Sequence, residues 1–214
     1  MSARIDERVF AADAAGRARI AYAATAVGAA AVGAGTYAQW MRDEPHAAAS
    51  WLLALGAVGL SVAAVLGDKL PAVRAGALGV AVERAGERPE RLAWCDVTRV
   101  ALAGGALVLE GEGRKVELAL AQHRAAAAFV LAEATARIPA RVQLGDDERA
   151  LVGAVDAAAG KVEKVEPPQL AGKRCRASGK LVAFEDDARP CARCGAIYHR
   201  EQVPAACTVC GAPT

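Results

Sequence analysis

Two stretches of this 214-residue chain, Ile20 to Met41 and Pro45 to Gly67, contain no Asp, Glu, Lys or Arg. A helix rises about 1.5 Å per residue, so roughly 20 residues cross the hydrocarbon core of a bilayer. Both blocks are long enough, and only the polar stretch Arg42-Asp43-Glu44-Pro45-His46 separates them. The pattern predicts an α-helical transmembrane hairpin over residues 20–67. Tyr22, Tyr37 and Trp40 fall near the ends of the first span and Trp51 near the start of the second, where amphipathic rings prefer the headgroup level. A buried hairpin of a soluble protein would carry charges on one face. A cleaved signal sequence would have a shorter apolar run, without the acids Asp6, Glu7 and Asp13 ahead of it.

The spans differ in quality. Leu52, Leu53, Leu55, Val58, Leu60 and Val62 give the second enough hydrophobicity to insert by itself, whereas the first is mostly Ala and Gly. Its small residues recur four apart: Ala24 and Gly28, Ala29 and Gly33, Ala31 and Gly35. Such spacing lets helix backbones approach closely. Gly59 and Ala63 offer a matching face, so the first span is expected to pack on the second or on another copy of the chain in a homo-oligomer. Arg4, Arg8, Arg17 and Arg19 precede the hairpin, Lys69 and Arg74 follow it, and the loop has only Arg42. This asymmetry places both termini in the cytoplasm. The expected localisation is a two-span protein of the inner (cytoplasmic) membrane, with residues 1–19 as a cytoplasmic N-terminal segment.

Composition narrows the rest. The chain is 54% apolar and only 4% aromatic, with 23% charged residues and a net charge of +2. That balance excludes a polybasic nucleic-acid binder, wholesale disorder and a multi-spanning transporter.

From Leu78 the apolar period becomes two. Leu78, Val80 and Val82 alternate with smaller or charged residues, and a turn at Ala85-Gly86 leads to Arg91–Trp94. Three further strands are expected over Arg99–Ala103, Ala106–Glu110 and Arg114–Leu120. Gly104-Gly105 supplies the positive φ of a tight hairpin, and Glu112-Gly113 closes the next. Leu102, Leu107, Leu109, Val116, Leu118 and Leu120 then share one buried face. After Leu120, Ala126, Val130, Ala134 and Ile138 recur every four residues with Phe129 beside them, and Pro139 ends the helix. A strand meander capped by one C-terminal helix is an α+β arrangement over residues 68–139. Its order, with Trp94-Cys95-Asp96-Val97 opening the last three strands, resembles the pleckstrin-homology-like (PH-like) domains of bacterial membrane proteins, which often follow a pair of spans. The resemblance implies headgroup or protein binding near the lipid bilayer. Arg84, Arg88, Arg91, Arg99, Arg114 and Lys115 could face phosphate, but Glu83, Glu87, Glu90, Glu110 and Glu112 interleave them, as on an ordinary solvated face. Trp94 reads as core, Cys95 as a buried, unreactive thiol and His123 as a solvated residue at the helix start. Residues 140–167 read as a short helix, Asp146 to Ala159, and a charged linker, Lys161 to Pro168.

Five of the six cysteines lie in the last 40 residues. Cys191-x2-Cys194 and Cys207-x2-Cys210 form two knuckles twelve residues apart, each followed by a glycine, Gly195 and Gly211. Four thiolates at about 2.3 Å make a closed tetrahedral site, the structural zinc arrangement, so one Zn2+ per chain is expected at Cys191, Cys194, Cys207 and Cys210. Residues 168–214 hold too few apolar side chains to fold without it. Around the knuckles the pairs run Cys175/Ser178, Cys191/Cys194, His199/Gln202 and Cys207/Cys210. This resembles the cross-braced RING and PHD-type fingers, most closely the prokaryotic RING-like ones. In that family the second and fourth pairs form one site and the first and third the other. The resemblance implies that Cys175 and His199 are remnants of a degenerate second metal site, because Ser178 and Gln202 replace its other ligands. A plain zinc ribbon, with His199 on the surface, would use the same four cysteines.

No phosphate loop, dinucleotide fingerprint or nucleophile elbow occurs, and no acid/base constellation can be named. The fold class expected is a multi-domain membrane protein: transmembrane hairpin, α+β PH-like domain and small zinc finger. Its expected function is that of a non-enzymatic, membrane-anchored adaptor or scaffold that binds a protein partner through the finger. The alternatives are a RING-type ligase accessory for a conjugation system and a zinc-ribbon interaction module. Lys173, Arg174, Arg176 and Lys180 lack interleaved aromatics and are followed by Glu185-Asp186-Asp187, so no nucleic acid is expected as a partner.

Overall fold

A computed structural model describes residues 5–44, 46–67, 70–83 and 90–214. Arg4, Pro45, Lys69, Arg84, Arg88 and the turn expected at Ala85-Gly86 lie outside the described residues. The chain divides into two compact units, residues 13–70 and residues 1–12 with 71–214.

The first unit is a helical hairpin. Helix α1 (Ala15–Thr36) runs on through a π-helical turn, Tyr37–Met41, and α2 is Ala49–Gly67. Both are long and apolar enough to cross a membrane. α1 starts five residues ahead of the uncharged block, and the Arg17 guanidinium donates to the Val65 carbonyl at 3.1 Å. Of the small-residue pairs, Ala31 and Gly35 are buried, and so is Gly28 of the Ala24/Gly28 pair. Opposite them lie Gly56, Gly59 and Ala63. A Cβ on Gly56 would stand 2.5 Å from Val32 Cγ2 and 2.9 Å from the Gly28 carbonyl oxygen, so glycine sets the helix separation. The Ala29/Gly33 pair faces outward, as do Ile20, Val27, Trp40, Trp51, Leu55 and Val65.

The second unit begins before the hairpin. Strand β1 (Ile5–Phe10) pairs antiparallel with β2 (Ala72–Gly76), matching Glu7 with Gly76 and Phe10 with Val73. The expected N-terminal segment of residues 1–19 is therefore not separate where it is described: Ile5–Phe10 belongs to the sheet, and the hairpin interrupts it. β3 (Gly79–Glu83) and β4 (Glu90–Leu92) extend it on one side. A second sheet holds β5 (Val97–Ala103), β6 (Ala106–Gly111) and β7 (Arg114–Ala119) in consecutive order. Both glycine turns form as expected, with Gly104, Gly105 and Gly113 at positive φ. Leu107, Leu109, Val116 and Leu118 are buried on the face of β6 and β7, and Leu102 and Leu120 pack at its margin.

Helix α3 (Leu120–Arg137) covers this core with Ala126, Val130 and Ala134, and Ile138 completes the stripe. Phe129 meets Phe10 with ring centroids 5.4 Å apart. Trp94 is fully buried and its indole N–H donates to the Gly76 carbonyl at 2.8 Å, satisfying the one polar atom of the ring. His123 corrects the expectation of a solvated residue. The first turn of α3 departs from helical geometry there (φ −132°, ψ 34°), which carries the imidazole inward to 6% exposure. Burial lowers its pKa.

Two further corrections follow from local chemistry. The helix expected from Asp146 to Ala159 stops early: α4 is Asp146–Val152, ended by Gly153 at φ +93°, a backbone only glycine adopts readily. The expected linker at Lys161 is strand β8 (Lys161–Val165), paired with β1 to complete the order β4-β3-β2-β1-β8. Ion pairs link the strands on this side of the sheet. Arg74 bridges Glu83 at 2.5 Å and Glu163 at 2.9 Å. Glu7, only 1% exposed, takes both guanidinium arms of Arg91.

Candidate metal centre

Three turns of the C-terminal module share one construction. The backbone N–H of Gly179, Gly195 and Gly211 donates to the carbonyl four residues back, of Cys175, Cys191 and Cys207, at 2.8, 2.9 and 2.8 Å. The N–H of each of those cysteines in turn donates to the carbonyl five residues on, of Lys180, Ala196 and Ala212, at 2.9, 2.7 and 2.7 Å. The three glycines have φ of 70, 77 and 71°. Each turn is flanked by one β-pairing: Arg174 with Leu181, Pro190 with Ile197, and Ala206 with Pro213. The middle pair belongs to the short ribbon of β9 (Ala188–Pro190) and β10 (Ile197–His199). These are three copies of one knuckle, and their cysteines and glycines recur at a fixed interval in the sequence. The first copy carries Ser178 where the others carry Cys194 and Cys210.

The second and third knuckles converge. The sulfurs of Cys191, Cys194, Cys207 and Cys210 all lie within 4.8 Å of one another. Cys191 and Cys210 are 3.7 Å apart, and Cys194 and Cys207 are 3.6 Å apart. A tetrahedron of thiolates about 2.3 Å from a central ion has edges of about 3.8 Å, so the spacing suits a four-coordinate metal. It is far beyond the about 2.05 Å of a disulfide, and all six cysteines are free. These four cysteines, three of them buried and Cys210 half-buried, could hold a metal ion. They are the one cluster of three or more potential ligands among the described residues.

The surroundings act unequally on the thiols. Burial pushes the Cys194 thiol up, as it does Cys210. Burial also opposes the Cys207 thiolate, but the Tyr198 hydroxyl and the N–H groups of Cys210 and Val209 outweigh it and hold that thiol down at about 6. Tyr198 is the residue that the sequence pattern missed. It is fully buried, and its hydroxyl stands 3.2 Å from the Cys207 sulfur while accepting the Thr208 N–H at 3.0 Å.

The first knuckle and His199 also meet, through the backbone. The His199 N–H donates to the Cys175 sulfur at 3.4 Å. Burial opposes the Cys175 thiolate, and the Ser178 hydroxyl together with the N–H groups of His199, Ser178 and Ala177 outweighs it, giving about 7. The imidazole Nε2 of His199 is buried without a hydrogen-bond partner among the described residues. The ring lines a small cleft of about 260 Å3 with Gln202, Lys180 and Asp187.

Of the interleaved cations of the sheets, Arg99 pairs with Glu110 at 3.9 Å and Lys115 with Glu117 at 2.6 Å. Cys95 is half-buried, and burial together with the adjacent Asp96 pushes its thiol up. The module is fastened to the second sheet and α3 by polar contacts. Arg176 pairs with Asp96, Arg137 donates to the Arg193 carbonyl at 2.9 Å, and Arg193 returns a bond to the Ala136 carbonyl at 2.7 Å. Comparison with protein-family models, curated proteins and solved structures finds no match to this chain.

Proposed function

We propose that this protein is a membrane-anchored adaptor whose zinc finger presents a binding surface to a protein partner. One observation carries the reading: an apolar hairpin interrupts the sheet of the same folded unit that ends in a closed four-sulfur site. Because β1 and β2 pair across the interruption, the chain on both sides of the hairpin belongs to one body. Two spans return the chain to the side it left, which supports cytoplasmic termini alongside the arginines that flank the hairpin. The outward-facing apolar side chains of α1 and α2 support lipid contact.

Zinc is the ion that best suits four thiolates in tetrahedral reach with no other ligand type present. A site closed by four protein ligands leaves no position for a reacting water, which supports a structural role over hydrolysis. The two antiparallel sheets with a helix after the last strand of the meander support the PH-like likeness, with β1, β2 and β8 as additions to the expected strands. The first knuckle, folded like the other two and joined to His199, supports descent from a cross-braced finger over a plain ribbon. Leu181, Phe184 and Val203 stand 56%, 70% and 37% exposed on the finger, an apolar surface suited to a partner.

Crosslinking in intact membranes tests this reading. A photoreactive group beside Phe184 is expected to capture one partner. Both Phe184→Ser, with zinc retained, and Cys194→Ser, with zinc lost, are expected to abolish that adduct while the chain stays in the membrane fraction. Recovery of the chain in the soluble fraction, or an adduct indifferent to both substitutions, would contradict it.

A further inference from the structure

A cleft of about 610 Å3 lies where the sheets meet the first knuckle. Its volume is in the range of small-molecule sites, roughly 300–1,000 Å3. Among the described residues five cations line it, Arg91 and Arg114 from the sheets and Lys173, Arg174 and Arg176 from the finger, against one acid, Asp96. Neither set is basic enough on its own to mark a site, since each is followed or interleaved by acids in the sequence. Folding merges the two and leaves most of the acids outside.

Two of the five are already neutralised. Arg91 is committed to Glu7 and Arg176 to Asp96, and those pairs set the walls of the cleft. Arg114, Lys173 and Arg174 have no carboxylate within ion-pair distance among the described residues. Arg174 is oriented by one bond, from Nη1 to the Gly179 carbonyl at 3.0 Å, and Arg114 leans on the Arg91 carbonyl at 3.4 Å. The remaining guanidinium N–H groups have no acceptor among the described residues. Three solvent-facing cations with no ion-pair partner among the described residues gather at one concave surface and raise its positive potential, and guanidinium forks match the oxygens of a phosphate group. Leu78, Leu170 and Ile197 supply an apolar wall beside them, suited to the body of a phosphate ester.

We propose that this cleft is a binding site for a phosphate-bearing ligand, held by Arg114, Lys173 and Arg174 at the junction of sheets and finger. The site goes beyond the adaptor reading and does not depend on it, because no protein partner is involved. Half of it belongs to the first knuckle, so the ligand would bind only when the finger is folded.

The test is calorimetric titration of the detergent-solubilised full chain with inositol trisphosphate and with inorganic pyrophosphate, beside flotation with vesicles of phosphatidylcholine alone or with a phosphoinositide. Binding of a soluble probe assigns the site to free phosphate esters. Binding confined to phosphoinositide vesicles assigns it to a lipid headgroup. In either case the triple variant Arg114→Gln/Lys173→Gln/Arg174→Gln is expected to weaken binding at least tenfold while retaining its zinc, and Arg99→Gln, outside the cleft, is expected to leave binding unchanged. Added salt should weaken the wild-type interaction. The proposal is overturned if the wild type binds none of these probes, if the triple variant binds as tightly, or if an acidic peptide without phosphate binds in their place.

Discussion

The sheets and the finger of one folded unit are held together by opposite means. Behind the sheets, Trp94, Leu107, Leu109, Leu118, Val130 and Ile138 are almost wholly buried, and removal of apolar area from water drives the packing. In the finger, Leu181, Phe184 and Val203 remain exposed, while the ordered parts are three hydrogen-bonded knuckles and four converging sulfurs. A large core tolerates losing any one contact, whereas a small module with little buried apolar area depends on each of its few organising contacts.

The largest expected effect separates the two directly. Removing the metal with a chelator, or Cys194→Ser, should forfeit on the order of 10 kcal/mol of binding free energy. Hydrogen exchange should then show residues 168–214 losing protection while α3 keeps it. Loss of protection in both would show that the finger and the sheets fold as one. In the opposite direction, Leu109→Ala should cost about 3 kcal/mol, seen as a lower denaturation midpoint with zinc content unchanged. The buried carboxylate comes next. Glu7→Gln removes the charge that Arg91 faces and should cost about 2 kcal/mol, measured by the same midpoint. Tyr198→Phe should leave the sheets untouched and weaken metal affinity about tenfold, read by competition with a chromophoric chelator.

The smallest effect is a pH dependence. His123 is depressed in the folded state, so the unfolded chain binds its proton more readily. Its contribution is fully present above the unfolded value of about 6.5. That contribution is lost as pH falls below this value toward the lower folded pKa. Stability measured across that window should fall in the wild type and fall less in His123→Leu.

The same contrast explains what could be read from the sequence. The hairpin, the turns at Gly104-Gly105 and Glu112-Gly113, the helix stripe ending at Ile138 and the four converging cysteines were all legible, because each depends on a local period or spacing. β1, β2 and β8 were not. Asp6, Glu7, Arg8, Lys161, Glu163 and Lys164 make β1 and β8 look like solvated segments, and the partners of Glu7 and Glu163, Arg91 and Arg74, lie far away in the chain. His123 was misplaced because a single non-helical residue turns it inward, which no periodicity encodes. The first knuckle was visible in principle as a copy of the other two: Cys175 and Gly179 stand at the same interval from Cys191 and Gly195 as those do from Cys207 and Gly211. Ser178 breaks the cysteine pattern, and the repeat shows itself in the backbone bonds. Tyr198 gave no signal, since contact between its hydroxyl and a sulfur requires the folded ribbon.

The most direct measurement is the metal content of the purified full chain by mass spectrometry, with its free thiols counted in parallel. One zinc per chain, absent from Cys191→Ser and retained in Cys175→Ser, is the predicted result. A chain without metal, or a Cys191→Ser variant that still carries its zinc, would contradict the single four-sulfur centre on which the finger is built.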